Sequence, residues 1–135
     1  MKYILDTDTI IYFLKGEEDI VDRIANISPD KITTTIISHT ELLFGAFNSA
    51  KKKQNLEKIQ AFLDKIQIIP FCKESSTIFA EQKTLLKKQG NIIADLDLII
   101  ASISIRHHST LVTNNVKHFI RLKKLKIENW KTTCS

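Results

Sequence analysis

Cysteine, proline and glycine are all scarce: the 135-residue chain has two, two and three of them. The cysteines, Cys72 and Cys134, stand far apart. Neither a disulfide framework nor a zinc site built on cysteines is expected, and a reducing cytoplasm suits the chain. So little proline and glycine excludes a collagen-like, linker-like or low-complexity protein. No apolar run reaches the roughly 18–20 residues that span a bilayer, so no membrane partner is expected. Asp6 and Asp8 interrupt the apolar N-terminus, which therefore does not read as a secretory signal. What is present is ordinary globular composition, 43% hydrophobic and 26% charged. The length fits one domain over residues 1–135.

The formal charge of +5 suggests an anionic partner. It is unevenly placed. Residues 1–98 carry 13 basic and 14 acidic side chains, and residues 99–135 carry 7 basic and 1 acidic. The positive excess gathers around Arg121, Lys123, Lys124 and Lys126. These side chains suit phosphate contacts, or else form a solvated face. Lys51-Lys52-Lys53 reads equally as a turn between helices. Most phenylalanines fall at apolar helical spacing and are assigned to the core, so no base-stacking aromatic is evident.

Apolar periodicity predicts alternating strands and helices. Strands are expected at Tyr3-Ile4-Leu5, Lys31 to Thr35, Ile66 to Pro70 and Thr110 to Thr113. Helices are expected up to about Leu14, then over Glu18 to Ile27, Ser38 to Ala50, Gln54 to Lys65, Ser75 to Lys88 and Asp95 to His107. Gly90 should end the fifth of these, and the sixth, apolar almost all round, should be buried. Short segments near Phe119 and Ile127 close the chain. Such alternation implies a parallel sheet covered on both faces.

Polar residues punctuate this pattern where chemistry is possible. Asp6 ends an apolar strand, where a carboxylate either caps the next turn or faces a ligand beyond the strand's carboxyl end. Thr7 and Asp8 cap the first helix or support such a site. Glu41 closes a Ser38-x-x-Glu41 capping box, or looks from the small face of its helix, past Gly45, into a cleft. Asp95 suits a helix N-cap and Asp97 the first turn, where the dipole favours negative charge. A carboxylate at an otherwise apolar helix start is costly unless it is paired or metal-bound, so Asp97 is the stronger functional candidate. His107-His108 follows a helix end and is read as structural, favoured by the dipole. Convergent carboxylates repel unless a cation neutralises them, and oxygen-only ligands favour Mg²⁺ or Mn²⁺. Such a site can clamp a phosphodiester for hydrolysis.

Four stretches in this order resemble the PIN-domain ribonucleases, most closely the VapC toxins of bacterial toxin–antitoxin pairs. They are Tyr3-Ile4-Leu5-Asp6-Thr7-Asp8, Thr40-Glu41-Leu42-Leu43-Phe44-Gly45-Ala46, Asp97-Leu98-Ile99-Ile100-Ala101, and Leu111-Val112-Thr113-Asn114-Asn115 followed by Phe119. The resemblance implies a three-layer, Rossmann-like α/β/α PIN fold. It implies Mg²⁺- or Mn²⁺-dependent RNA cleavage, with transfer RNA the first target to expect, leaving 5′-phosphate and 3′-hydroxyl ends. Asp6, Glu41 and Asp97 match the family's acidic metal-site residues. Asn115 matches the fourth position, often aspartate elsewhere, and a neutral amide there weakens the case for a second metal. Thr113, Asn114, Thr7, Asp8 and Asp95 would support the site. The resemblance further implies a homodimer, a VapB-type antitoxin partner and contact with DNA only through that antitoxin.

Two other readings compete. Asp6-Thr7-Asp8 after a strand is similar to the aspartate pair of haloacid-dehalogenase-like phosphatases, but Ile10 departs from that pattern and the chain leaves little room for a cap domain. A PIN-like fold can also serve as an inactive RNA-binding or interaction module, although such a module has no reason to keep a repulsive acidic cluster.

Overall fold

The computed structural model describes residues 2–131; Cys134 lies outside them. Thirteen elements follow one another as β1 (Tyr3–Leu5), α1 (Thr7–Leu14), α2 (Glu18–Ala25), a 3₁₀ turn (Pro29–Lys31), β2 (Ile32–Thr35), α3 (Ile36–Phe47), α4 (Lys52–Leu63), β3 (Gln67–Ile69), α5 (Lys73–Gln89), α6 (Asp95–Arg106), β4 (Thr110–Val112), α7 (Val116–Phe119) and β5 (Lys126–Glu128). The five strands form one sheet in the order β3-β2-β1-β4-β5, and every neighbouring pair is parallel.

Strand alternation builds the layers. Side chains along a strand point to opposite faces, so Ile4 and Leu5 must enter different cores. Ile4 and its neighbour Leu111 pack with α5, α6 and α7 residues such as Leu86, Leu98, Ile103 and Phe119. Leu5 and its neighbour Val112 pack with α1 to α4 through Ile10, Ile20, Leu42, Ile59 and Leu63. The result is the expected α/β/α sandwich. β2 is polar in sequence yet wholly buried, which its hydroxyls permit: Thr33 donates to the Tyr3 carbonyl at 2.8 Å and Thr34 to the Leu5 carbonyl at 2.6 Å.

The strand order decides where a ligand can bind. From β1 the chain first moves outward through β2 and β3, then crosses back to β4 on the other side. The helices after β1 and β4 therefore lie on opposite faces, and a crevice opens beyond the carboxyl ends of these two strands.

Several local expectations change. α3 starts at Ile36 with Thr35 as its N-cap, whose hydroxyl accepts from the Ser38 amide at 3.1 Å. Ser38 is thus inside the first turn, and the Ser38–Glu41 capping box does not form. α6 is capped by Ala94 without a side-chain bond, so Asp95 is not its N-cap; its carboxylate reaches across to Lys83 at 2.9 Å. α6 is buried as expected, with Leu98, Ile100, Ala101 and Ile103 inside, and Gly90 ends α5 in the left-handed conformation at φ 71°. Lys52 and Lys53 begin α4, and only Lys51 lies in the turn. Four of the seven phenylalanines, Phe13, Phe62, Phe79 and Phe119, lie in or against the core as expected. Phe119 is buried, whereas Phe44, Phe47 and Phe71 are exposed, because α3 turns Leu42 and Ala46 inward and leaves Phe47 on its outer side.

Candidate active site at the ends of strands β1 and β4

Asp6 sits at the crevice. Its amide still pairs with the Val112 carbonyl at 2.9 Å, extending the β1–β4 ladder by one residue. Its side chain then turns to cap α1, with Oδ1 accepting from the Thr7 amide at 2.8 Å. The other oxygen, Oδ2, accepts from the Thr113 hydroxyl at 2.7 Å. The capping role and the site location therefore belong to the same carboxylate. It is only 5% exposed. Burial, then the Asp8 charge, and more weakly Asp97 push its pKa up to about 7, against the pull of the Thr113 and Thr7 bonds.

The next two residues each hold a different segment. The Thr7 hydroxyl lies 2.7 Å from Glu41 Oε1 and 2.9 Å from Ser38 Oγ. Asp8 Oδ2 accepts from the Asn114 amide at 3.0 Å, and Oδ1 from the Thr9 hydroxyl at 3.2 Å. Burial raises the Asp8 pKa, more than its hydrogen bonds lower it. Asp8 is thus a strap on the β4 loop and not the helix cap. Three consecutive residues of α1's first turn consequently fix the end of β4, the helix α3 and the loop after β4.

Glu41 is half-buried and lines a groove of about 290 Å³ between α1, α3 and α4, with Ile11, Lys15, Gly45, Asn55 and Lys58. The small face past Gly45 is open as expected, since a Cβ there would meet nothing within 4 Å. Asp97, in the first turn of α6, lies 3.4 Å from His118 Nδ1 on α7. Asn115 is exposed at the start of α7, and its amide donates to the Thr113 hydroxyl at 3.0 Å. Thr113 therefore links Asp6 to Asn115 through one oxygen.

Two residues near the site escaped the sequence reading. Ser38 was hidden by its apparent role as a cap. His118 sits three residues after Asn115, within the single turn of α7, and only the α6–α7 packing brings it to Asp97. His107, by contrast, ends α6, and its pKa is lowered by burial and by Arg106.

Asp95 is exposed and engaged with Lys83. The basic residues 121–126 are carried by a segment whose Leu122 and Leu125 are buried, which leaves Arg121, Lys123, Lys124 and Lys126 pointing outward. The Arg121 guanidinium donates to the Ile92 carbonyl at 3.1 Å. Lys126 pairs in register with Thr110, at the end of β4 away from Thr113, so it opens the far edge of the sheet from Asp6.

A hard divalent cation suits the donor chemistry here. Asp6, Asp8, Asp97 and Glu41 offer only oxygen, and Asp6 bears unrelieved repulsion from Asp8 and Asp97. The ion pairs found among the described residues bring no lysine or arginine to Asp6, Asp8 or Glu41. Among the described residues no three acidic, histidine or cysteine side chains are grouped closely enough to hold a metal ion as they stand. The site is an open acidic edge at which no lysine or arginine pairs with Asp6, Asp8 or Glu41 among the described residues.

Comparison with known proteins places the fold. The family model described as PIN domain matches residues 3–125. The chain is similar to Ribonuclease VapC2 of Rickettsia felis, with 36% identity over 96% of this chain and 98% of that protein. It is 24% identical to the tRNA(fMet)-specific endonuclease VapC of Salmonella typhimurium, again over 96% and 98% of the two chains. Among solved structures it is similar to VapBC2 from Rickettsia felis bound to a promoter DNA fragment, with a TM-score of 0.88 and 34% identity over 97% of this chain and 100% of that one.

Proposed function

The chain belongs to the PIN-domain family, among the VapC ribonucleases of toxin–antitoxin pairs, and from that premise we propose that it is a metal-dependent endoribonuclease that hydrolyses RNA to 5′-phosphate and 3′-hydroxyl ends. Its partner is a VapB-type antitoxin, with which it forms a hetero-oligomer and through which it meets DNA. The toxin itself is a homodimer acting in the cytoplasm. Transfer RNA is the first substrate to test, a choice supported by the more distant tRNA-specific relatives.

The observation that carries the catalytic reading is the burial of Asp6 beside Asp8 and Asp97 without a cationic side chain. A buried carboxylate in that setting either takes up a proton or waits for a cation. Asp6, Asp97 and Glu41 would hold Mg²⁺ or Mn²⁺, with Asn115 assisting. When bound, such an ion supplies Lewis acidity and neutralises phosphate charge. The chain's own residues do the rest. The Thr7 amide and the Thr113 hydroxyl fix both oxygens of Asp6, so its orientation is set before RNA arrives. Asp8 holds the Asn114 loop, and with it Asn115, at the mouth of the crevice. His118 holds Asp97 from α7. The neutral Asn115 gives a weaker ligand than an aspartate, which favours one tightly held ion over two.

The test is direct. Purified toxin is incubated with transfer RNA in Mg²⁺ or Mn²⁺, then with EDTA, and the fragment ends are sequenced. Cleavage that EDTA abolishes, with 5′-phosphate ends, is the expected result. Cleavage that persists in EDTA refutes the metal, and RNA binding without cleavage under any condition makes the chain an inactive module. Family membership leaves the phosphatase reading without support.

A further inference from the structure

Ser38, Thr7 and Glu41 form a short chain of oxygens whose polarity can be deduced. Ser38 is fully buried at the start of α3. Thr7 lies 2.9 Å from its hydroxyl and 2.7 Å from Glu41 Oε1. A hydroxyl has one proton to give, and an ionised carboxylate can only accept. The Thr7 proton therefore goes to Glu41. The contact between Thr7 and Ser38 must then run the other way, with Ser38 donating to Thr7. Ser38 thereby fixes where the Thr7 proton points, and the two bonds reinforce each other.

The same residue ties a second acid. The Thr7 amide donates to Asp6 Oδ1 at 2.8 Å. One residue on α1 thus binds a carboxylate at the end of β1 and another on α3. The Thr7 backbone and side chain thus tie the two carboxylates to each other directly. Thr35 already caps α3 through the Ser38 amide, so the Ser38 and Glu41 side chains are released from capping. This explains why an S-x-x-E pattern sits here without forming a capping box.

We propose that Thr7 is a positioning residue for Glu41, and that Ser38 orients it. The inference rests on the reading of Asp6, Glu41 and Asp97 as a cation site, and names what holds that site's third acid in place. The Thr7 amide and hydroxyl are engaged by Asp6, Ser38 and Glu41, so its part is to position and not to ligate. Its loss should leave substrate binding intact and weaken the cation site. Residues that orient metal ligands typically carry about 10–100-fold in affinity or activity.

The experiment uses the full chain and Mn²⁺ alone as the first probe, by titration calorimetry without RNA. Thr7→Val removes the hydroxyl and keeps the shape. It should weaken Mn²⁺ binding about tenfold, lower kcat on RNA similarly and leave KM unchanged. Thr7→Ser keeps the hydroxyl and should stay within about twofold of wild type. Ser38→Ala removes only the orienting bond, and its effect should fall between those two. Should Thr7→Val fold poorly because the buried Ser38 hydroxyl is orphaned, the Thr7→Val/Ser38→Ala double variant removes that orphan and must still bind Mn²⁺ weakly. Wild-type Mn²⁺ affinity and kcat in the valine and double variants, while Glu41→Gln loses both, would overturn the role of Thr7 and leave the cation site standing. Wild-type values in Glu41→Gln as well would overturn both.

Discussion

The two charged regions of this molecule differ in how much each charge is constrained. At the ends of β1 and β4, Asp6 is 5% exposed and both of its oxygens accept hydrogen bonds. In the segment from Arg121 to Lys126, every basic side chain is exposed, and of these only Arg121 makes a hydrogen bond among those described, to the Ile92 carbonyl. The two regions carry similar numbers of charges, but the acidic one holds the larger share of the information. Burying a carboxylate beside two others opposes folding, so its presence demands a reason. An exposed lysine costs nothing and demands none.

The sharpest way to break the contrast is to neutralise the acids one at a time. Asp6→Asn and Asp97→Asn should each reduce RNA cleavage by about a hundredfold or more, since each removes an anionic ligand from a cation site. Both variants should fold. An asparagine at position 6 can keep its carbonyl on the Thr7 amide and turn its NH₂ toward the Thr113 hydroxyl. Cleavage at the wild-type rate by either variant, with a wild-type circular dichroism spectrum, would remove that residue from the site.

Stability gives the next largest effect. Asp6 titrates at about 7 when folded, against an ordinary value of 3.8. The folded protein therefore holds that proton more tightly than the unfolded chain does. The sign follows from linkage: the contribution is fully present below about pH 4 and is lost as the pH rises through 7. In EDTA, wild type should lose on the order of 2 kcal/mol across that window relative to Asp6→Asn, which cannot titrate. Denaturant melts of both proteins at pH 5 and pH 8 measure it. A saturating divalent cation should shrink the difference, because it binds the folded carboxylates and not the unfolded chain. Parallel pH profiles for the two proteins would mean that the Asp6 charge is already compensated.

Much of this is legible in the sequence alone. Alternating apolar runs separate strands from helices, and Asp6 and Asn115 lie at strand ends by their position alone. The alternation of Ile4 and Leu5 is already the instruction for two cores. What was not legible depends on tertiary register. Ser38-x-x-Glu41 satisfies the capping pattern locally, but β2 runs into α3 without a loop, so the helix starts at Ile36 and Thr35 takes the cap. Asp95 is the first helical residue and Ala94 takes the cap position, while the Asp95 carboxylate meets Lys83, 12 positions earlier, on α5. The Phe44 and Phe47 spacing is helical, yet spacing alone does not say which side of α3 meets the sheet. His118 reaches Asp97 only because α7 packs on α6.

The basic segment provides the smallest expected effect and the finest test of the contrast. Lys123 and Lys124 are exposed between two buried anchors, Leu122 and Leu125, so replacing them leaves the core untouched. If they meet RNA phosphates, Lys123→Ala/Lys124→Ala should weaken binding and flatten the plot of log affinity against log salt by about 1–2. The catalytic rate on saturating RNA should not change, because neither lysine is placed at the crevice. Lys126→Ala should do less than either, since Lys126 sits opposite Thr110 at the far end of the sheet. Salt slopes equal to wild type in all these variants would make the segment a solvated face. Equal losses from Lys126 and Lys123 would mean that RNA runs along the whole β5 edge and not only past the ends of β1 and β4.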